Sequence, residues 1–209
     1  MVITQTFKFF GQKLLNLLFP ARCLSCQVKV NQAGALCSNC WNSMEFISSP
    51  ACSRCSNPFP YDLDDDLCFY CKEDPPEFTK AFAVVKYDEF SDKIIFALKY
   101  YDKTDLAYSI SKLMLPKLKE IASDVDIITC VPIHFNKLKK RGFNQAALLA
   151  KHIATEIGQK VNPSILLKHK ETISQSGLTK NERLENIKGS VKINPKYKKE
   201  VFRKNVLLI

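Results

Sequence analysis

Apolar positions recur along the chain in patterns that change near residues 73–79. In the opening "MVITQTFKFFGQKLLNLLFP", Phe7, Phe10, Leu14 and Leu17 fall at helical spacing and Pro20 stops the run, which predicts an amphipathic leader helix over residues 1–20. Lys8, Gln12, Lys13 and Asn16 interrupt the apolar run that a signal peptide would need. Packing against the rest of the protein is the favoured reading of this helix, with membrane attachment as the alternative. Beyond "EDPPEFT" (73–79) strand and helix patterns alternate. "KAFAVVKYD" (80–88) reads as a strand, "SDKIIFALKYYD" (91–102) as a helix with Ser91 as its N-cap, and "DLAYSISKLMLPKLKEIA" (105–122) as a longer helix bent or restarted at Pro116. "VDIITCVP" (125–132) reads as a buried strand, and Asn144 caps a helix over "QAALLAKHIATEIG" that ends at Gly158. "SILLKHK" (164–170) and the final "NVLLI" are further strands, the last expected to be buried on both faces. Alternation at these lengths predicts an α/β domain over residues 78–209 with a largely parallel sheet.

Residues 21–77 follow neither period. Eight of the nine cysteines fall there as four C-x-x-C pairs, Cys23/Cys26, Cys37/Cys40, Cys52/Cys55 and Cys68/Cys71. A C-x-x-C turn aims two thiolates at one ion, and two such turns complete the tetrahedral sulfur shell that zinc accepts. Two zinc ions are therefore expected, both in closed, structural sites with no open position for substrate. Sequential and interleaved pairing of the four turns both satisfy the spacing, sequential pairing closing the shorter loops. A module this small with so few apolar residues needs such staples to fold. "YDLDDDL" (61–67) reads as a solvated acidic loop, and Phe59, Phe69 and Tyr70 are better explained as core residues than as base-stacking ones. Cys130, without a partner at metal spacing, reads as a small buried hydrophobe.

Charge separates the same two regions. The chain has a net charge of +10, with residues 1–77 at −2 and residues 78–209 at +12. That imbalance points to phosphate-bearing partners in the second region, either phosphorylated small molecules or nucleic acid, with a lysine-rich solvated surface as the bland alternative. Within it, "VPIHFNKLKKRGFNQAALLAKHI" (131–153) joins a buried strand, a basic loop and a helix start. Ligands of parallel sheets gather beyond strand carboxyl ends, helix N-termini favour anions, and Arg141 offers a fork suited to phosphate. Reduced cysteines and the lack of any long apolar run lead to the expectation of a cytoplasmic protein without a membrane span.

The four C-x-x-C pairs, "ALKYYDKTDLA", "VPIHFNKLKKRGFNQAALLAKHIA" and "SQSGLTKNERLENIKGSV" together resemble the ComF family, phosphoribosyltransferase-like proteins associated with DNA uptake in natural competence. The resemblance runs from about residue 17 to residue 209 and implies a double zinc ribbon joined to a type I phosphoribosyltransferase-like fold. It implies that Arg141, Gly142, Phe143, Asn144 and Gln145 match the pyrophosphate-binding loop. Gln175, Gly177, Leu178, Arg183 and Asn186 match a second, ligand-facing tract, with structural pairing inside the loop as the alternative for Arg183 and Asn186. In the family a strand like "NVLLI" leads into two acidic residues and a Thr-Thr-Gly tract that resembles the phosphoribosyl pyrophosphate loop, whereas this sequence stops at Ile209. A C-terminally truncated relative is therefore expected, without transferase activity, its second domain marginally stable or self-associating, and with Mg²⁺ only if the active site is completed. The expected role is binding of single-stranded DNA or docking on DNA-uptake machinery. An enzyme completed by another chain and a degenerate remnant are the alternatives.

Overall fold

Residues 20–32, 35–61, 65–100 and 104–209 are described by the computed structural model, and the chain divides into two compact units, Met1–Ala97 and Leu98–Ile209. The expected leader helix lies outside the described residues.

The first unit is built from two similar cysteine turns, each leading into a one-turn helix, α1 (Ser38–Asn42) and α2 (Phe69–Glu73). The segment expected as a strand over residues 80–88 is extended, but among the described residues its only β-bridge joins Val85 to Phe46. Its backbone bonds are spread over the cysteine module instead: Ala81 N–H donates to Arg54, Lys86 N–H donates to Glu45, and the Val84 carbonyl accepts from Ile47 N–H. The following helix α3 (Glu89–Tyr100) starts two residues before Ser91. Its cap is Asp88, whose Oδ1 accepts the Ser91 N–H at 2.7 Å while the Ser91 hydroxyl oxygen accepts the Asp88 N–H at 2.9 Å. A carboxylate placed there complements the positive end of the helix better than a serine does.

In the second unit, α4 (Asp105–Lys119) runs through Pro116 without a break. It packs on α6 (Gln145–Ile157), which in turn packs on β1 (Ile127–Thr129). β1 is buried along its whole length because it has neighbours on both sides. It pairs in parallel with β4 (Val206–Leu208), Ile128 opposite Leu207, and forms a parallel bridge to Val161 on its other edge. Leu118, Val125, Ile128, Cys130, Ala150, Ile153 and Ala154 form the core, with Leu207 and Ile209 packed against it. Cys130 is thus the buried hydrophobe its sequence context predicts, its thiol pushed up by burial. The strand expectation for the final residues needs a correction: β4 packs Leu207 inward and leaves Val206 and Leu208 exposed, the alternation of a one-sided strand.

The expected parallel pairing is present at β1 and β4, and the domain carries a second, antiparallel pair as well. β2 (Leu166–Lys168), within the predicted 164–170 segment, pairs antiparallel with β3 (Val191–Ile193), which the pattern does not predict. Between them lies α7 (Lys180–Ile187), opened by a capping box in which Thr179 and Glu182 each satisfy the other's backbone N–H.

Asp126 ties β4 to β1. Its Oδ2 accepts the Asn205 N–H and its Oδ1 accepts Lys204 Nζ, both at 2.9 Å, and these bonds hold its carboxyl below the usual carboxylate range. A carboxyl whose pKa is lowered on folding contributes stability that is present above its unfolded value of about 3.9 and is lost as pH falls through the folded value. Asp126→Asn is expected to lower the melting temperature of the second unit by a few degrees at neutral pH. The gap between variant and parent should close below about pH 3.9, and a gap undiminished in acid would contradict this account.

Candidate zinc centres and anion-facing segment

The two ribbons repeat the same turn and the same cross-ribbon bond. In the first, Cys23 N–H donates to Val28, Gln27 N–H donates to Cys23, and Gln27 adopts φ 64°. In the second, Cys52 N–H donates to Asn57, Ser56 N–H donates to Cys52, and Ser56 adopts φ 61°. Each turn ends in a left-handed residue that swings the chain back beside its own start. The second half of each ribbon then donates into the first: Cys37 N–H to Cys23 Sγ and Cys68 N–H to Cys52 Sγ, both at 3.3 Å.

These turns bring together Cys23, Cys26, Cys37 and Cys40 in one set and Cys52, Cys55, Cys68 and Cys71 in the other, with the ligand atoms of each set within 4.8 Å of one another. The pairing is therefore sequential. Cys26 and Cys37 sulfurs lie 3.6 Å apart, and Cys55 and Cys68 sulfurs 3.7 Å apart. Those separations are far beyond a disulfide bond. They suit a tetrahedral shell, whose sulfur-to-sulfur edge is about 3.8 Å for zinc–sulfur bonds of about 2.3 Å.

The electrostatics suit a dication too. Burial opposes ionisation of Cys23, yet backbone N–H groups of Cys37, Cys26 and Ser25 bring its thiol down to about 6. Cys52 is brought to about 6 in the same way by Cys68, Cys55 and Arg54. Cys40 and Cys71 are pushed up to about 12, by burial first and then by the neighbouring sulfurs. The backbone readies one thiolate per site, but four need a positive ion among them. The residues fit two structural zinc ions, one per set. With all four positions taken by protein, the zinc holds the ribbon and offers nothing to a substrate.

In the second unit the segment expected as a basic loop is a helix, α5 (Phe135–Arg141). His134 caps it, its Nδ1 accepting the Asn136 N–H, and Gly142 closes it at φ 81° with its N–H on the Leu138 carbonyl. Arg141 donates to Gln145 Oε1 at 3.0 Å, and Phe143 is half-buried between the two helices. Asn144 caps α6 as predicted, Oδ1 accepting from Ala146 N–H, while its Nδ2 donates to the Val131 carbonyl at 3.0 Å and so pins the helix start to the end of the β1 strand. Gln145 Nε2 is buried and has no hydrogen-bond partner among the described residues.

In the second tract, Gln175 Oε1 is likewise buried and unpartnered, and the Gln175 carbonyl closes a turn onto Leu178, with Gly177 at φ 81°. Arg183 lies exposed on α7, and Asn186 donates to the Ile173 carbonyl at 3.2 Å. The tracts are linked by residues that the sequence does not single out. Asn136 donates to Glu171 Oε2 and Lys137 to the Thr172 carbonyl, fastening α5 to the segment that leads into the second tract. Lys168 sits close enough to be lowered by burial and by Lys137, so positive charge gathers on this side of α5. The one advance signal was the run of basic residues from Lys137 to Arg141.

Comparison with known proteins agrees with the zinc-ribbon part of this description. Residues 14–73 match the double zinc ribbon domain family. The chain is 24% identical over 178 residues to Competence protein F of Haemophilus influenzae, covering 82% of this chain and 76% of that protein. It is 22% identical over 183 residues to the DNA utilization protein YhgH of Salmonella typhimurium and of Escherichia coli K12, covering 85% of this chain and 79% of each. No solved structure matches it. The paired cysteine sets, the ribbon match and relatives that extend over four fifths of the sequence support an assignment to the ComF family.

Proposed function

We propose that the protein handles DNA during natural competence, holding single-stranded DNA on its basic second unit while the zinc ribbons serve as a structural module. The observation that carries this reading is the charge division. Residues 98–209 hold 22 Lys+Arg against 10 Asp+Glu, whereas residues 1–97 hold 9 against 11. Lys139 and Lys140 are exposed on α5, where no carboxylate is paired with them among the described ion pairs. The names of the relatives, a competence protein and a DNA utilization protein, support the same assignment.

Binding rather than phosphoribosyl transfer fits how the first tract spends its side chains: Arg141 bonds to Gln145, Asn144 to Val131 and Ala146, and Lys137 to Thr172. A second reading, a phosphorylated small molecule between the two tracts, is favoured by Gln145 Nε2 and Gln175 Oε1, one unpartnered buried donor and one acceptor. Among the described residues no helix is long and apolar enough to cross a membrane. The reading assigns the protein to the cytoplasm, whose reducing poise keeps the eight ribbon cysteines available to zinc.

Fluorescence anisotropy with labelled oligothymidylate tests the proposal. Affinity is expected to fall steeply with salt as phosphate contacts release counterions, and Lys139→Glu with Lys140→Glu should flatten the log–log slope by about 1.4, roughly 0.7 per lost contact. A binding curve unmoved by salt, or by the double substitution, would remove the DNA reading. Competition by inorganic pyrophosphate would favour the small molecule.

A further inference from the structure

The second ribbon displays two aromatic rings that its own fold does not use. Phe69 and Tyr70 open α2, are 70% and 74% exposed, and meet edge to face with centroids 5.9 Å apart. They are not the core residues that their place in a small module suggests. The first ribbon makes the same turn, the same N–H to sulfur bond and the same short helix with Ser38 and Asn39 in the corresponding places. Neither ring is therefore needed for zinc or for the helix. Large apolar rings kept in water without a structural task mark an interaction surface.

The charge around them selects the occupant. Residues 65–79 hold five acidic residues and one basic, Lys72, which is already paired with Asp65. Asp65, Asp66, Glu73 and Asp74 are exposed, and Glu73 stands one helical turn from both rings. This negative field repels phosphate, so it disfavours a nucleic-acid strand stacking its bases here. It attracts a guanidinium group, which stacks flat on an aromatic face and bonds bidentately to a carboxylate. We propose that Phe69, Tyr70 and the surrounding carboxylates form a docking surface for an arginine-bearing basic segment of a protein partner. The surface lies on the unit with net negative charge and acts independently of DNA binding by the other.

The test uses the full zinc-loaded chain and a short labelled peptide of alternating arginine and glycine, followed by anisotropy. Phe69→Ser with Tyr70→Ser is expected to weaken the peptide roughly tenfold, to retain two zinc ions per chain, and to leave oligothymidylate binding unchanged. A lysine peptide of equal charge should bind several-fold more weakly than the arginine one. Should the aromatic variant lose zinc, Glu73→Gln with Asp74→Asn, which touches neither ligand nor core, must produce the same loss of peptide binding. Unchanged peptide affinity in both variants overturns the proposal. So does a fall in oligothymidylate binding on loss of the rings, which would make the surface a nucleic-acid site, or conversion of a self-associated parent to monomer, which would make the occupant a second copy. Failure of oligothymidylate to bind at all would sink the DNA reading alone.

Discussion

Stripping zinc with a chelator is expected to unfold the ribbons while the 98–209 unit stays folded. The reason is the content of the ribbon core. In the second ribbon it consists of Cys52, Cys68 and Cys71, with Cys55, Phe59 and Leu67 packed around them, so the ligands are themselves most of what is buried. Ordering a residue costs about 1–2 kcal/mol of backbone entropy, and four cysteines with one phenylalanine and one leucine cannot offset that over a module of this length. Structural zinc contributes about 10–16 kcal/mol per site at neutral pH. Amide spectra recorded through a chelator titration should show the resonances of residues 20–73 collapse while those of β1, α4 and α6 remain. Cys52→Ser should leave one bound zinc where the parent holds two, since the sets draw on separate cysteines. Ribbon signals that survive full zinc removal would mean that something other than the metal holds the module.

The second large effect is expected at Ile128. Its side chain is fully buried in the core against α6, and its backbone bonds to the neighbouring 160–162 segment on one side while its strand pairs with β4 on the other. Truncation to alanine removes the side chain but none of those backbone bonds, so it isolates the packing contribution. Ile128→Ala should destabilise the second unit by about 2–5 kcal/mol and Ile128→Val by about 0.5–1.5 kcal/mol. Leu208→Ala, on a strand residue 51% exposed, should stay within about 0.5 kcal/mol. Denaturant unfolding would rank the three, and the zinc content should be the same in all. Equal effects at Ile128 and Leu208 would mean that β4 packs on a face the structure leaves open.

What could be read in advance divides along how local the determining physics is. Metal ligation is local: C-x-x-C turns announce themselves whatever surrounds them, and only their pairing waited on the fold. The α6 helix was legible at both ends because Asn144 and Gly158 are capping residues acting on their own neighbours. Tertiary partners were not legible. Residues 80–88 have strand composition, but their hydrogen bonds go to carbonyls and amides scattered through the ribbons, so among the described residues only Val85 is bridged. Val191–Ile193 is a strand of three residues with no buried member, too short for any period to show. The basic "loop" hid a helix in plain view: Gly142 beyond a lysine-rich stretch is a C-terminal signal, outweighed by the expectation of an open anion-binding turn. Phe69 and Tyr70 read as core residues because a tiny module usually needs every ring it has, whereas here the sulfur clusters take that place.

The return of residues 81–86 onto the ribbons has a practical consequence for anyone isolating them. A fragment ending at Cys71 or Glu73 contains all eight ligands, yet it leaves the Arg54 carbonyl, the Ser56 hydroxyl, the Glu45 carbonyl and the Ile47 amide without the partners that Ala81, Lys86 and Val84 supply. It would also strip Lys86 from Glu45. A fragment carried through Asp88 keeps these bonds and includes the stretch that ties the end of the first ribbon to the turn of the second. The self-contained piece of this protein is therefore longer than its metal-binding motif.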